Sequence, residues 1–410
     1  MLAKPKIILF LYNRLFDPLI QSNFWLYIKD YLEDENNPYQ FHLVTYEDPK
    51  FPLNQEQKDL VEQWRSQGLE WSTLTWHQGS GLRTKFLDLF NGFIRVTKLR
   101  FKGYKHIVTL GSVAGTYAYT YCIPLRLKLF LYQYEPHSEY AIDNKMWAAD
   151  SKQYKISHYL ERRAARAAKV VASGTVFMQK RVKEKWQSKA EFFRIPTVAN
   201  DKKFIFNNDD RIEIRTKYNI GMDKWVLYYP GKFGDLYYKE EFAWMYKWLK
   251  EEEPRLHLLI VTPHTDEEVN TLFDKAEVNS NDYTIAHCDY VDIHKYASAS
   301  DFAIISVPPG PSKKFISNIK VGEYLCAGMP FLITKGISED YIYATEKDVG
   351  VVVDDFVQND IKKAWPEIKE YLQRDSDKLR NHCRSVGLDY RGFEGLNKKF
   401  KEAIVFLVSR

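Results

Sequence analysis

Short, nearly continuous apolar runs alternate along this chain with longer stretches whose apolar positions recur at helical spacing. In the first half the runs predict strands over 6–12, 40–46, 70–75, 106–110, 129–134, 169–173 and 192–195. Helical periodicity fills the intervals at 21–32, 53–67 and 151–168. The pattern restarts in the second half, with strands expected over 225–229, 256–261, 283–286, 302–306, 331–333 and 349–353. Helices are expected over 239–252, 266–276, 291–299, 318–327 and 338–345. Strands apolar along their whole length, each followed by a helix, describe parallel sheets covered on both faces.

The fold expected is therefore α/β, with two tandem Rossmann-like doubly wound domains facing a cleft. The polar stretch 200–215 lacks an apolar period and marks the boundary. The reading is an N-terminal domain over 1–200, a second domain over 201–387, and a closing amphipathic helix over 388–410 that packs back on the first. Ligands of such sheets bind outside the carboxyl ends of the strands.

Composition narrows the class. The chain has 410 residues, 45% of them hydrophobic and 28% charged, as in a soluble globular protein. Its net charge of +5 is too dilute to indicate nucleic acid. Cys122, Cys288, Cys326 and Cys383 are far apart, which fits reduced cytoplasmic thiols and neither a zinc site nor a disulfide framework. The apolar run at 7–12 is broken by Asn13-Arg14, so it reads as a strand and not a secretion signal. The expected location is cytoplasmic, soluble or peripheral on the inner face of a membrane.

The densest chemistry lies at 311–330. Ser317 or Asn318 can cap a helix that Gly328 and Pro330 close. Its free N–H groups suit a phosphate, and Lys320 adds positive charge in the first turn. Glu323 lies one turn further on the same face and can accept from two neighbouring hydroxyls. Diphosphate at the helix tip and a hydroxylated ring at the carboxylate are what a nucleotide-sugar site requires. A solvated helix glutamate and surface lysines are the plain alternatives.

Three stretches carry a family resemblance: 323–330 (EYLCAGMP), 229–234 (YPGKFG) and 195–200 (IPTVAN). They resemble, in turn, the EYLAxGxP signature, the xxGRxG strand end and the IPNGVD junction of retaining, GT-B, family 4-like glycosyltransferases. The resemblance implies a donor-binding second domain, an acceptor-binding first domain, transfer with retention, and neither bound metal nor cofactor. Gly231 and Gly234 would let backbone approach the ligand. Lys232 stands where the family has arginine and would neutralise the diphosphate, with Lys239 a second clamp or simply a solvated helix start. Glu135 and His137 match the strand-end histidine motif that faces the sugar. Gly111-Ser112 would line the same cleft, and loops at 262–264 and 288–291 would meet the base. One departure stands out: where the family commonly has a second glutamate this chain has Phe315.

The implied activity is a hexosyltransferase passing sugar from a nucleotide-sugar to a glycan, lipid or polysaccharide precursor. A nucleotide-sugar-binding protein without turnover and a sugar-nucleotide epimerase are the competing readings. The segment 83–105 sets Lys and Arg among Phe86, Leu89, Phe90, Phe93, Ile94 and Leu99. It reads first as an ordinary helix with a solvated basic face, and second as a helix lying on anionic lipid.

Overall fold

The computed structural model describes residues 4–79 and 82–409. The chain forms two compact units, residues 1–196 with 396–410, and residues 197–395.

The first unit is built on a seven-stranded parallel sheet: β1 (Lys6–Leu11), β2 (Gln40–Glu47), β3 (Glu70–Thr75), β4 (His106–Leu110), β5 (Lys128–Gln133), β6 (Val170–Ser173) and β7 (Glu191–Arg194). Its spatial order is β3-β2-β1-β4-β5-β6-β7. Chain direction across the sheet therefore reverses between β1 and β4, where Ile7 pairs with His106 and Leu11 with Leu110. Every residue from Ile7 to Leu11 is fully buried, which is why this strand reads as an unbroken apolar run.

The closing helix expected within 388–410, after Gly392, is present over Phe393–Val408. The helix before it, Ser376–Arg391, runs through position 388 and belongs to the second unit. Gly392 separates the two. From Leu396 this last helix belongs to the first unit. There Phe400 stacks on Tyr27 at 4.7 Å and meets Phe24 edge-on at 5.9 Å.

The helix Leu82–Phe101 packs on one side, as expected of an ordinary helix, and carries exposed apolar residues among the basic ones on the other. Its buried positions are Asp88, Gly92, Val96 and Leu99, while Phe86, Leu87, Phe90, Ile94 and Phe101 are exposed beside Arg83 and Lys98. The solvent-facing side is thus apolar as well as basic. Apolar count alone could not show this, because a small glycine and a hydrogen-bonded aspartate occupy inward positions that larger apolar residues would usually take.

The second unit has a six-stranded parallel sheet: β8 (Trp225–Pro230), β9 (Leu256–Val261), β10 (Tyr283–Ala286), β11 (Phe302–Ile304), β12 (Phe331–Thr334) and β13 (Gly350–Val353). The order is β10-β9-β8-β11-β12-β13, so the direction reverses between β8 and β11. One face is covered by the helices Glu240–Glu252, Asp266–Lys275 and Gln358–Gln373 through Phe242, Phe273 and Trp365. The other is covered through Ile214, Tyr296, Val321 and Tyr324. The polar stretch read as a boundary is not a linker here. Asn207 caps a helix over Asn208–Lys217, and Arg215 from that helix is buried against Asp301 at 2.9 Å.

Candidate functional site

The second sheet reverses beside β8, and the chain leaves β8 through Gly231. The Gly231 N–H still pairs with Val261 at 2.9 Å, so the strand's hydrogen bonding runs one residue past its end. A side chain here would collide: a Cβ on Gly231 would lie 2.7 Å from the Lys320 ammonium and 2.9 Å from the Tyr229 hydroxyl. The turn continues through Phe233, whose N–H donates to His264 Nε2 at 3.1 Å, and Gly234, with φ of 82°.

Opposite this turn the helix Ile319–Cys326 begins. Asn318 caps it, accepting from the Lys320 N–H at 3.0 Å. Ser317, the other capping candidate, is engaged elsewhere. Its hydroxyl accepts from the Thr197 N–H at 2.9 Å and from Arg391 at 3.0 Å. Arg391 is fully buried on Asp340 at 2.5 Å and also donates to the Asn318 carbonyl at 3.3 Å, so an internal ion pair fixes the helix start. At the other end Gly328, with φ of 79°, makes the reversed turn in which Met329 N–H reaches Tyr324 and Gly328 N–H reaches Leu325. The Gly-x-Pro ending seen in the sequence is this closure.

Lys320 and Glu323 stand three residues apart on this helix, close enough for their charges to attract. The Lys320 ammonium lies 4.6 Å from the Tyr237 ring centre and 5.6 Å from that of Tyr229. Loss of water around it pulls its pKa down to about 8, against the attraction of Glu323. Glu323 is 5% exposed, and burial pushes its pKa up to about 7. Its Oε1 accepts from the Tyr290 hydroxyl at 2.7 Å. Its Oε2 has no hydrogen-bond partner among the described residues. Lys203 lies 4.0 Å from the centre of the Tyr290 ring and adds its positive field to the carboxylate.

Tyr290 and Gly231 border an open groove of about 680 Å³, together with Thr262, Pro263, His287, Cys288 and Ile293. His287 braces its wall, bonding the Thr262 carbonyl and Asp266 at 2.8 Å each. Of the loops expected to meet a base, Thr262, Pro263 and residues 288–290 line this groove, while His264 lines a second pocket of about 340 Å³ with Phe233, Lys239 and Glu268. Lys239 thus stands beside that second pocket. Lys232 is exposed on the turn, its carbonyl held by the Tyr229 hydroxyl. Phe315 is buried in a short helical turn at Lys313–Phe315. The loop holding Tyr290 was expected at the base, but the links of Tyr290 and Lys203 to Glu323 escaped the sequence reading, because they join segments far apart in the chain.

In the first unit, Glu135 and His137 follow β5. His137 opens the helix His137–Asp143, with Nδ1 3.4 Å from Glu135, a pairing that raises its pKa. Ser112 donates to the Glu135 carbonyl at 2.8 Å, so the Gly111-Ser112 turn and the Glu135–His137 segment do converge. Behind them Glu161, 1% exposed, accepts from the Ser138 N–H at 2.9 Å and hydroxyl at 2.6 Å. Burial lifts its pKa to about 7 as well.

Two doubly wound parallel sheets with these strand orders define the GT-B fold. No family model matches the chain, and no curated protein matches it in sequence. Solved structures match over nearly all of it. Sucrose-phosphate synthase from Thermosynechococcus elongatus superposes with a TM-score of 0.72 at 14% identity, covering 99% of this chain and 100% of its own. HepE of Anabaena in complex with UDP gives 0.68 at 12% identity, covering 98% and 99%. WaaG, a glycosyltransferase involved in lipopolysaccharide biosynthesis, gives 0.64 at 13%, covering 98% and 100%. Among the described residues no helix is long and apolar enough to cross a membrane.

Proposed function

We propose that this protein is a glycosyltransferase that takes its sugar from a nucleotide-sugar, with the donor held by the second unit. The observation that carries the reading is Glu323, a buried carboxylate with one oxygen bonded by Tyr290 and the other open, one turn from a half-buried lysine at a helix start. A carboxylate oxygen without a protein partner suits the paired hydroxyls of a ribose. Lys320 and the N–H groups of the helix start suit a diphosphate. The groove beside Tyr290 suits the base. That HepE was solved with UDP, in the same fold, supports this reading.

In this reading Gly231 and Gly234 shape the turn around the diphosphate, and Lys232 neutralises charge on the leaving group as the glycosidic bond breaks. Transfer proceeds with retention and without a metal, the leaving phosphate taking the acceptor proton. Glu135 and His137 are assigned to the sugar and acceptor. The acceptor is a glycan or lipid-linked precursor. The exposed row Phe86, Phe90 and Ile94, flanked by Arg83 and Lys98, favours an acceptor met at an anionic membrane surface.

The test is a thermal-shift panel with UDP, GDP, ADP, CDP and TDP, without metal and then with magnesium. A nucleotide at ~100 times its Kd adds ~2.7 kcal/mol, a readable shift. One nucleotide stabilising the native chain but not Glu323→Ala is the expected result. No stabilisation by any of them overturns the donor site.

A further inference from the structure

A second polar constellation stands at the strand ends of the first unit, and no part of the donor site uses it. Tyr12 follows β1, and Trp76 and His77 follow β3. The helix Leu82–Phe101 turns Lys85 and Asp88 toward them. Asp88 is completely buried. One carboxylate oxygen is 2.5 Å from His77 Nδ1, and the other accepts from the Tyr12 hydroxyl. The Lys85 ammonium donates to the Tyr12 oxygen at 2.9 Å, 5.0 Å from the centre of that ring and 5.8 Å from that of Trp76.

A purely structural aspartate needs no imidazole at the surface. Here the His77 side chain keeps 37% of its exposure, and its Nε2 has no partner among the described residues. By accepting the Nδ1 proton, Asp88 fixes the tautomer that turns the Nε2 lone pair away from it, ready to accept from a hydroxyl. Lys85 sets a compact positive charge close by, suited to phosphate. Trp76, partly exposed, offers a ring face to the C–H side of a sugar or polyol. The outward side of the same helix is the apolar and basic row described above.

We propose that Trp76, His77, Lys85 and Tyr12 form a binding site for a phosphorylated sugar or polyol, and that this is where the acceptor is held. The assignment of the ligand as acceptor rests on the transferase reading; the site itself does not. The source of the phosphorylated polyol is either a free sugar phosphate or a lipid headgroup.

The experiment follows the His77 ring signal by NMR in protein labelled at histidine Cε1, assigned with His77→Gln. The probes are glucose 6-phosphate, glucose, inorganic phosphate and phosphatidylglycerol vesicles. The expected result is movement of the His77 signal by glucose 6-phosphate at a concentration at least tenfold below that needed for glucose or phosphate alone. Movement by the vesicles alone also supports the site and names the headgroup as the source. Lys85→Met should raise the required concentration at least tenfold and Lys85→Arg should restore it, with thermal midpoints reporting that both fold. A signal unmoved by every probe, phosphate acting as well as the sugar phosphate, or equal responses in native and Lys85→Met protein overturns the proposal. Nucleotide stabilisation persisting in that case leaves the donor site standing.

Discussion

Two glutamates, one in each unit, look alike by every simple measure. Glu161 is 1% exposed and Glu323 5%, and burial lifts both carboxyls to about 7. They differ in what their oxygens do. Both oxygens of Glu161 are taken up by Ser138, one by its N–H and one by its hydroxyl. Glu323 gives one oxygen to Tyr290 and keeps the other open. Burial and a displaced pKa mark both; only the unspent lone pairs mark a place for a ligand.

Removing each carboxylate in turn should separate the two roles. Glu161→Ala strips two buried donors of their acceptor and opens a cavity, so it should cost the first unit ~3 kcal/mol of stability. Chemical denaturation measures that loss, and nucleotide affinity should stay within twofold. Next in size, Glu323→Ala should weaken nucleotide binding by ~1.5–3 kcal/mol, the range for hydrogen bonds to charged groups. Calorimetric titration checks it, and an unchanged Kd would make Glu323 as structural as its counterpart.

The pH dependence refines the contrast. A carboxyl whose folded pKa is raised from 4.5 to about 7 takes up a proton in the fold, so its contribution to stability falls as pH rises from about 4.5 to 7. Glu323→Gln should therefore raise the thermal midpoint at pH 8 while lowering nucleotide affinity. In the native chain, affinity should fall as pH drops below about 7, where the carboxylate is lost. It should fall again above about 8, where the Lys320 ammonium is lost. A flat profile across that window would detach both groups from the ligand. The smallest effect expected is that of Lys239→Ala, which lines a different pocket from the groove and should shift nucleotide Kd by less than about twofold.

The central strands were legible because they are buried on both faces and so appear as apolar runs; β1, β9 and β10 fall within a residue of their expected limits. The helix start at Asn318, the closure at Gly328 and the pair Lys320 and Glu323 were legible because they depend on local spacing. Ser317 was misplaced as a cap, since its hydroxyl is claimed by Thr197 and Arg391, which no local pattern reveals. The same holds for Tyr290 on Glu323 and for His77 on Asp88: each pair joins segments that only the folded sheet brings together.

The Arg391 ion pair has one further consequence. The second unit runs without interruption from 197 to 395, and its two ends are tied together: the Ala199 N–H reaches the Arg391 carbonyl at 2.9 Å, and Arg391 bonds the Thr197 carbonyl at 3.1 Å. A segment whose ends meet can be cut out as one piece or given new termini elsewhere on its surface. The groove, the Lys320 helix and the Glu323–Tyr290 contact all lie inside that segment. On the proposed reading, residues 197–395 carry the whole candidate donor site as one piece, one that can be immobilised or fused through its adjoining ends.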